Sequence, residues 1–158
     1  MRLSVATPDA MRAVGVALAG LLAPGDLVVL TGDLGAGKTV LTQGIGAGLG
    51  VSGPVLSPTF VIARVHGGGR LPLVHVDAYR LGSVAEVDDL DLDASLEESV
   101  TVVEWGGGLV EGLADARLEL QISRPMAGET RTVVLSAYGD AWADRVDALK
   151  AAVLAAVG

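Results

Sequence analysis

Cysteine is absent from this 158-residue chain, and lysine occurs only twice, at Lys38 and Lys150. Without thiols there is no disulfide framework and no thiolate metal site, a composition that suits a reducing cytosol. Basic residues are scarce overall, 11 Lys and Arg against 19 Asp and Glu, for a formal net charge of −8. That balance argues against a broad basic surface for gripping nucleic acid, because neutralised phosphates supply most of such affinity; a local patch is left open. Long apolar runs are missing too, and nothing approaches the roughly 20 residues of a membrane span.

The apolar run Val14 to Ala23 has the length of a signal-peptide core. Its flanks give another reading. Thr7-Pro8-Asp9 supplies an N-cap, a proline at the first helical position and an acid in the first turn. Met11, Val14, Leu18, Leu21 and Leu22 then recur at helical spacing, which predicts an amphipathic helix ended by Pro24-Gly25. With 51% hydrophobic and 19% charged residues, the chain is globular and expected to form a single domain, 1–158, with a substantial core.

What is abundant is glycine, 22 residues, and one cluster of it carries chemistry. Leu27 to Leu30 reads as a buried strand, followed by Gly32-Asp33-Leu34-Gly35-Ala36-Gly37-Lys38-Thr39, the pattern of a phosphate-binding loop. Such glycines let successive backbone N–H groups close around a phosphate while the next helix points its positive end at it. The lysine then reaches the terminal phosphates and the Thr39 hydroxyl is placed to ligate Mg²⁺. From this chain's own counts of Gly, Lys and Ser plus Thr, chance matches are expected on the order of a few in a thousand. The helix expected from about Lys38 to Leu49 contains Gly44, Gly46 and Gly48, each costing about 1 kcal/mol relative to alanine, so it must depend on packing and on bound nucleotide.

Further on, strands are predicted at Phe60 to Val65 and Leu71 to Val76, joined through His66-Gly67-Gly68-Gly69 as a hairpin, so the sheet is expected to be mixed. Residues 83 to 98 hold seven acids among leucines and valines. Asp89-Leu90-Asp91-Leu92-Asp93 imitates a calcium loop, but Ala94 and Val100 occupy its sixth and twelfth positions, and the stretch reads as a solvated acidic face. Val100 to Val103 is the apolar run of a central strand covered on both faces. Arg117 to Ser123 and Arg131 to Ser136 predict a terminal hairpin, and an amphipathic helix is expected from about Ala141, with Trp142, Val146, Leu149 and Val153 on one face.

In an α/β sheet ligands bind at the carboxyl ends of the strands, where Asp77 and Glu104 lie if their strands run parallel to Leu27 to Leu30. An acid there can hold Mg²⁺ or orient an attacking water; otherwise it faces solvent or caps the next helix. Thr59, in the polar turn Ser57-Pro58-Thr59, is a candidate switch hydroxyl, although the same turn is ordinary loop chemistry. Trp105 reads as core or as a cover over a nucleotide. His75 alternates with Val74 and Val76 and reads as a hydrogen-bonded structural residue.

Taken together, Gly-Asp-Leu-Gly-Ala-Gly-Lys-Thr at 32–39, Ser-Pro-Thr-Phe at 57–60, His-Val-Asp-Ala-Tyr-Arg-Leu at 75–81 and Glu-Trp at 104–105 resemble, in order and spacing, the TsaE family of tRNA threonylcarbamoyladenosine biosynthesis ATPases. The resemblance implies a three-layer P-loop NTPase fold of the α/β class, with a mixed, partly parallel sheet and flanking helices. It implies an ATP/ADP- and Mg²⁺-binding protein whose slow hydrolysis supports a complex installing threonylcarbamoyl on adenosine 37 of ANN-decoding tRNAs. The implied partners are a threonylcarbamoyl-transferase subunit of the TsaD type and its inactive paralogue of the TsaB type.

By the same resemblance, Asp33, Gly35, Ala36, Gly37, Lys38, Thr39 and Val40 would contact the nucleotide, with Trp105 close by and Thr7 near the adenine. Thr39 and Glu104 would ligate Mg²⁺, Asp77 would act near the γ-phosphate or the metal, and Thr59 would line the switch loop. Gly106-Gly107-Gly108 stands where the family often has a further acid, so no role is assigned beyond Trp105. Two other readings use the same loop: a small-molecule kinase, which would need an arginine-rich lid that the sequence does not show, and a non-catalytic module in which ATP orders the Thr59 loop.

Overall fold

The computed structural model describes residues 1–32, 37–52, 55, 63–77, 97–104, 116–124, 128 and 130–157. Seven strands form one sheet: β1 (Arg2–Val5), β2 (Leu27–Gly32), β3 (Ala63–His66), β4 (Leu73–Asp77), β5 (Val100–Glu104), β6 (Arg117–Ser123) and β7 (Arg131–Tyr138), in the order β1-β7-β6-β2-β5-β4-β3. The inner pairs β6/β2, β2/β5 and β5/β4 are parallel. The outer pairs β1/β7, β7/β6 and β3/β4 are antiparallel. The sheet is therefore mixed and partly parallel, as the hairpin pattern predicts.

Three helices are found among the described residues: α1 (Pro8–Ala19), α2 (Lys38–Leu49) and α3 (Val146–Val157). Met11, Val14 and Leu18 of α1, Leu41, Ile45 and Leu49 of α2, and Leu149 and Val153 of α3 join Val28, Leu30, Val102 and Leu120 in one buried cluster. On the alternate positions of the same strands, Val29, Val74, Val76 and Val103 are buried as well. Burial of both faces is what the unbroken apolar run of β5 requires, since a central parallel strand has no solvated side.

α1 starts as its sequence predicts. Thr7 is the N-cap, accepting from the Ala10 N–H at 3.1 Å, and Pro8 opens the helix. It stops earlier than Pro24-Gly25, at Ala19 with Gly20 as C-cap. The carbonyls left open beyond that end are taken by Arg70, whose Nη2 donates to Ala19 O at 2.6 Å and Leu22 O at 3.1 Å. This long-range cap has no local signature.

The glycines of α2 find their reason in packing. A Cβ on Gly15 of α1 would lie 2.8 Å from Ile45 N and 2.9 Å from Gly44 C, so the two helix backbones touch directly. Gly44 and Gly48 face Arg12, Val16 and Ala19 of α1 in the same way, while Gly46 faces Val51, Val55 and Leu73. The loss of helix propensity is the condition for this close approach.

Other elements differ from expectation. The sequence gives no sign of β1, because four residues are too few to establish an alternation. β3 runs through His66, expected in the turn, and β4 spans Leu73–Asp77, later than the expected Leu71 to Val76. β7 extends to Tyr138, where Arg117 of β6 stacks on the ring at 4.4 Å. α3 begins at Val146 because Asp140–Trp142 forms a separate 3₁₀ turn. That turn buries Trp142, and Arg145 lies 3.8 Å over its ring while gripping Asp26 through two bonds of 2.7 and 3.0 Å. The C-terminal helix is thereby anchored to the start of β2. The acidic stretch from 83 to 96 lies outside the described residues.

Candidate functional site

The site forms where β2 gives way to α2. Gly37 caps α2 with φ 117° and ψ 13°, a left-handed conformation that favours glycine, and as the N-cap it supplies no side-chain hydrogen bond to the first N–H groups of the helix. Those donors and the helix dipole converge on the end of the loop, the arrangement that attracts a phosphate. Met11 packs under Gly37, so a Cβ there would meet its methyl carbon at 3.4 Å. The first turn of α1, with Thr7 at its head, therefore lies against the loop.

Lys38 is only 6% exposed, and its Nζ donates to Gly32 O at 2.7 Å, reaching back across the turn it closes. The Thr42 hydroxyl donates to Lys38 O at 2.9 Å, which holds the first turn of α2 from inside. A cation carried on a buried stem beside the N–H groups of a helix N-terminus suits a multiply charged anion.

The acids arrive from the neighbouring strands. In register, Leu30 of β2 pairs with Glu104 of β5, and Glu104 with Asp77 of β4, all three strands pointing the same way. This places Asp77 and Glu104 side by side at the carboxyl edge, next to the loop. The backbone of Asp77 is described and its side chain is not.

Glu104 is 3% exposed, and its Oε1 accepts from the Thr39 hydroxyl at 3.3 Å. The same oxygen lies 3.6 Å from Nε2 of His75. A buried carboxylate is costly unless cations or donors surround it. Here its one hydrogen bond among the described residues comes from a neutral hydroxyl. A carboxylate and a hydroxyl at a helix N-terminus are the kind of oxygen donors a hard divalent cation takes together with phosphates. Among the described residues no group of three or more His, Cys, Asp or Glu could hold a metal by itself.

Of the residues singled out in the sequence, the structure brings together Gly37, Lys38, Thr39 and Glu104, with Asp77 adjacent in register. Val40 is half-buried against the core, and Thr7 is an exposed helix cap. Asp33, Gly35, Ala36, Thr59 and Trp105 lie outside the described residues. His75 differs from its reading: it is fully buried, but neither ring nitrogen has a hydrogen-bond partner among the described residues. Its closeness to Glu104 depends on strand register, which alternation within one strand does not show.

Comparison with known proteins agrees with this arrangement. The family model described as "Threonylcarbamoyl adenosine biosynthesis protein TsaE" matches residues 5–133. A Streptomyces coelicolor protein named tRNA threonylcarbamoyladenosine biosynthesis protein TsaE is 59% identical over 139 residues, covering 84% of this chain and 94% of its own. The protein of the same name from Bacillus subtilis is 39% identical, with 84% of this chain and 83% of its own covered. The crystal structure of Bacillus subtilis YdiB superposes with a TM-score of 0.78 at 30% identity, over 96% of this chain and 94% of that one. The chain thus belongs to the TsaE family of threonylcarbamoyl adenosine biosynthesis proteins.

Proposed function

We propose that this protein binds ATP and hydrolyses it slowly, as a component of the complex that installs threonylcarbamoyl on adenosine 37 of tRNAs reading ANN codons. One observation carries the nucleotide reading: Thr39, directly after the loop lysine, meets a buried strand-end carboxylate, Glu104, across 65 residues of sequence. A single hydroxyl bond does not offset the burial of a carboxylate, whereas the two oxygens are the pair that Mg²⁺ beside a polyphosphate uses.

In this reading Lys38 and the N–H groups of Asp33, Gly35, Ala36 and Gly37 hold the phosphates, with Val40 and Trp105 lining the nucleotide and Thr7 near the base. Thr39 and Glu104 hold Mg²⁺, whose charge would offset that developing on the phosphate oxygens. Asp77 and Thr59 orient the attacking water and the terminal phosphate. The partners are subunits of the TsaD and TsaB type. The net charge of −8 favours tRNA contact through those partners over a direct grip. The complex works in the cytoplasm; no helix among the described residues is long and apolar enough to cross a membrane.

Reconstituting tRNA modification with and without this protein, and counting product per partner complex, tests the role. Repeated turnover is expected only with the protein and ATP present. Undiminished turnover without it, or transfer of phosphate to a metabolite with no partner-stimulated hydrolysis, overturns the proposal.

A further inference from the structure

His75 is the one fully buried ionisable side chain among the described residues that neither the core nor the proposed chemistry uses. Neither imidazole nitrogen has a hydrogen-bond partner among the described residues. A ring used only for packing would be better replaced by leucine or phenylalanine, which fill the same space without stranding polar atoms. The nearest polar contact the structure gives it is Glu104 Oε1, 3.6 Å from Nε2.

We infer that His75 is a positioning residue for Glu104, an inference that rests on the Mg²⁺–ATP reading above. On β4, Leu73 and His75 share the face that meets α2, and Leu73 belongs to the buried cluster. The register His75↔Val102 sets the ring two residues short of the Asp77↔Glu104 pair and on the same face, so it approaches that carboxylate from the interior side. The Thr39 hydroxyl occupies the same oxygen at 3.3 Å.

A hydroxyl that turns to ligate a cation no longer restrains Oε1. Nε2–H then needs to approach by only about 0.6 Å to form a normal N–H···O bond. The carboxylate so keeps one orientation through the exchange. The tautomer is specified: Nε2 carries the proton that faces Glu104, and Nδ1 carries none. Partners of metal-bound carboxylates act in this way elsewhere, and their loss weakens metal binding about 10- to 100-fold.

The test compares His75→Leu with His75→Gln, whose carboxamide nitrogen retains a donor at a similar reach. The measurement is the Mg²⁺ concentration giving half-maximal thermal stabilisation by a non-hydrolysable ATP analogue. His75→Leu is expected to raise it about tenfold or more, leaving stabilisation by the metal-free analogue unchanged, and His75→Gln to return it close to the wild-type value. A wild-type midpoint in His75→Leu, or equal shifts in both variants, overturns the inference.

Should His75→Leu not fold, the tautomer decides. The chain has two histidines, so His66→Gln leaves a single imidazole in the nitrogen spectrum of the Mg²⁺–analogue complex. A proton on Nε2 supports the positioning role, and a proton on Nδ1 with Nε2 bare overturns it. Absence of any analogue-dependent stabilisation in the wild-type protein overturns the ATP reading itself and this inference with it. A normal wild-type response beside an unaffected His75→Leu overturns the inference alone.

Discussion

Replacing Gly15 by alanine isolates the contact that ties the phosphate-loop helix to α1. The added Cβ would meet Ile45 N at 2.8 Å and Gly44 C at 2.9 Å, and would press still closer on Leu41 O. All three are backbone atoms of α2, so no rotamer change relieves them and the helices must separate. Alanine in a helix interior gains about 1 kcal/mol over glycine. Overpacking costs about 1–3 kcal/mol, and a clash with backbone belongs at the upper end, for a net loss of about 2 kcal/mol.

For a chain of this length that corresponds to a fall in Tm of roughly 4–8 °C. Gly20→Ala is the control. Gly20 caps α1 in a right-handed helical conformation, φ −64° and ψ −22°, and its nearest contact would be Ala17 O at an ordinary 3.5 Å. That substitution should leave stability unchanged or raise it by up to about 1 kcal/mol. Urea denaturation of both variants, with equal slopes, reads the difference. A Gly15→Ala protein as stable as Gly20→Ala would refute the claim that backbone contact is why these helices carry glycine.

Arg145→Ala strands the Asp26 carboxylate, whose side chain is 7% exposed and then keeps, among the described residues, the Ala23 N–H at 2.7 Å. With the arginine partly exposed, the loss is expected at about 2 kcal/mol in chemical denaturation, and a change below about 0.5 kcal/mol would remove this pair from the account of how α3 is anchored. Lys38→Ala should abolish the stabilisation by ATP expected of the wild-type protein, about 2.7 kcal/mol at a hundredfold excess over Kd; an unchanged shift in a thermal melt would place the nucleotide elsewhere. Glu104→Ala should bind ATP without turning it over in a phosphate-release assay, and if tRNA modification then ran at full rate, hydrolysis would not be the function.

What the sequence makes legible here divides by how local the cause is. The strand ahead of the loop and the helix from Lys38 are written in consecutive residues, and the structure follows both within a residue or two. Val100–Glu104 is legible because a strand covered on both faces needs no alternation. The edge strand Arg2–Val5 is not, since its placement comes from pairing with Arg131–Val134, at the other end of the chain.

The glycines of α2 show the intermediate case. Their cost can be read from propensity, while the reason for it, the surface of α1, cannot. The site behaves alike. That Asp77 and Glu104 end strands is local information; that both end at the same edge depends on β4, β5 and β2 running parallel, which pairing alone decides. His75 is the extreme, because nothing within residues 73 to 77 distinguishes an imidazole buried for packing from one aimed at a carboxylate on the next strand. Only the register of β4 against β5 separates the two, by placing its Nε2 3.6 Å from an oxygen that already carries the Thr39 hydroxyl.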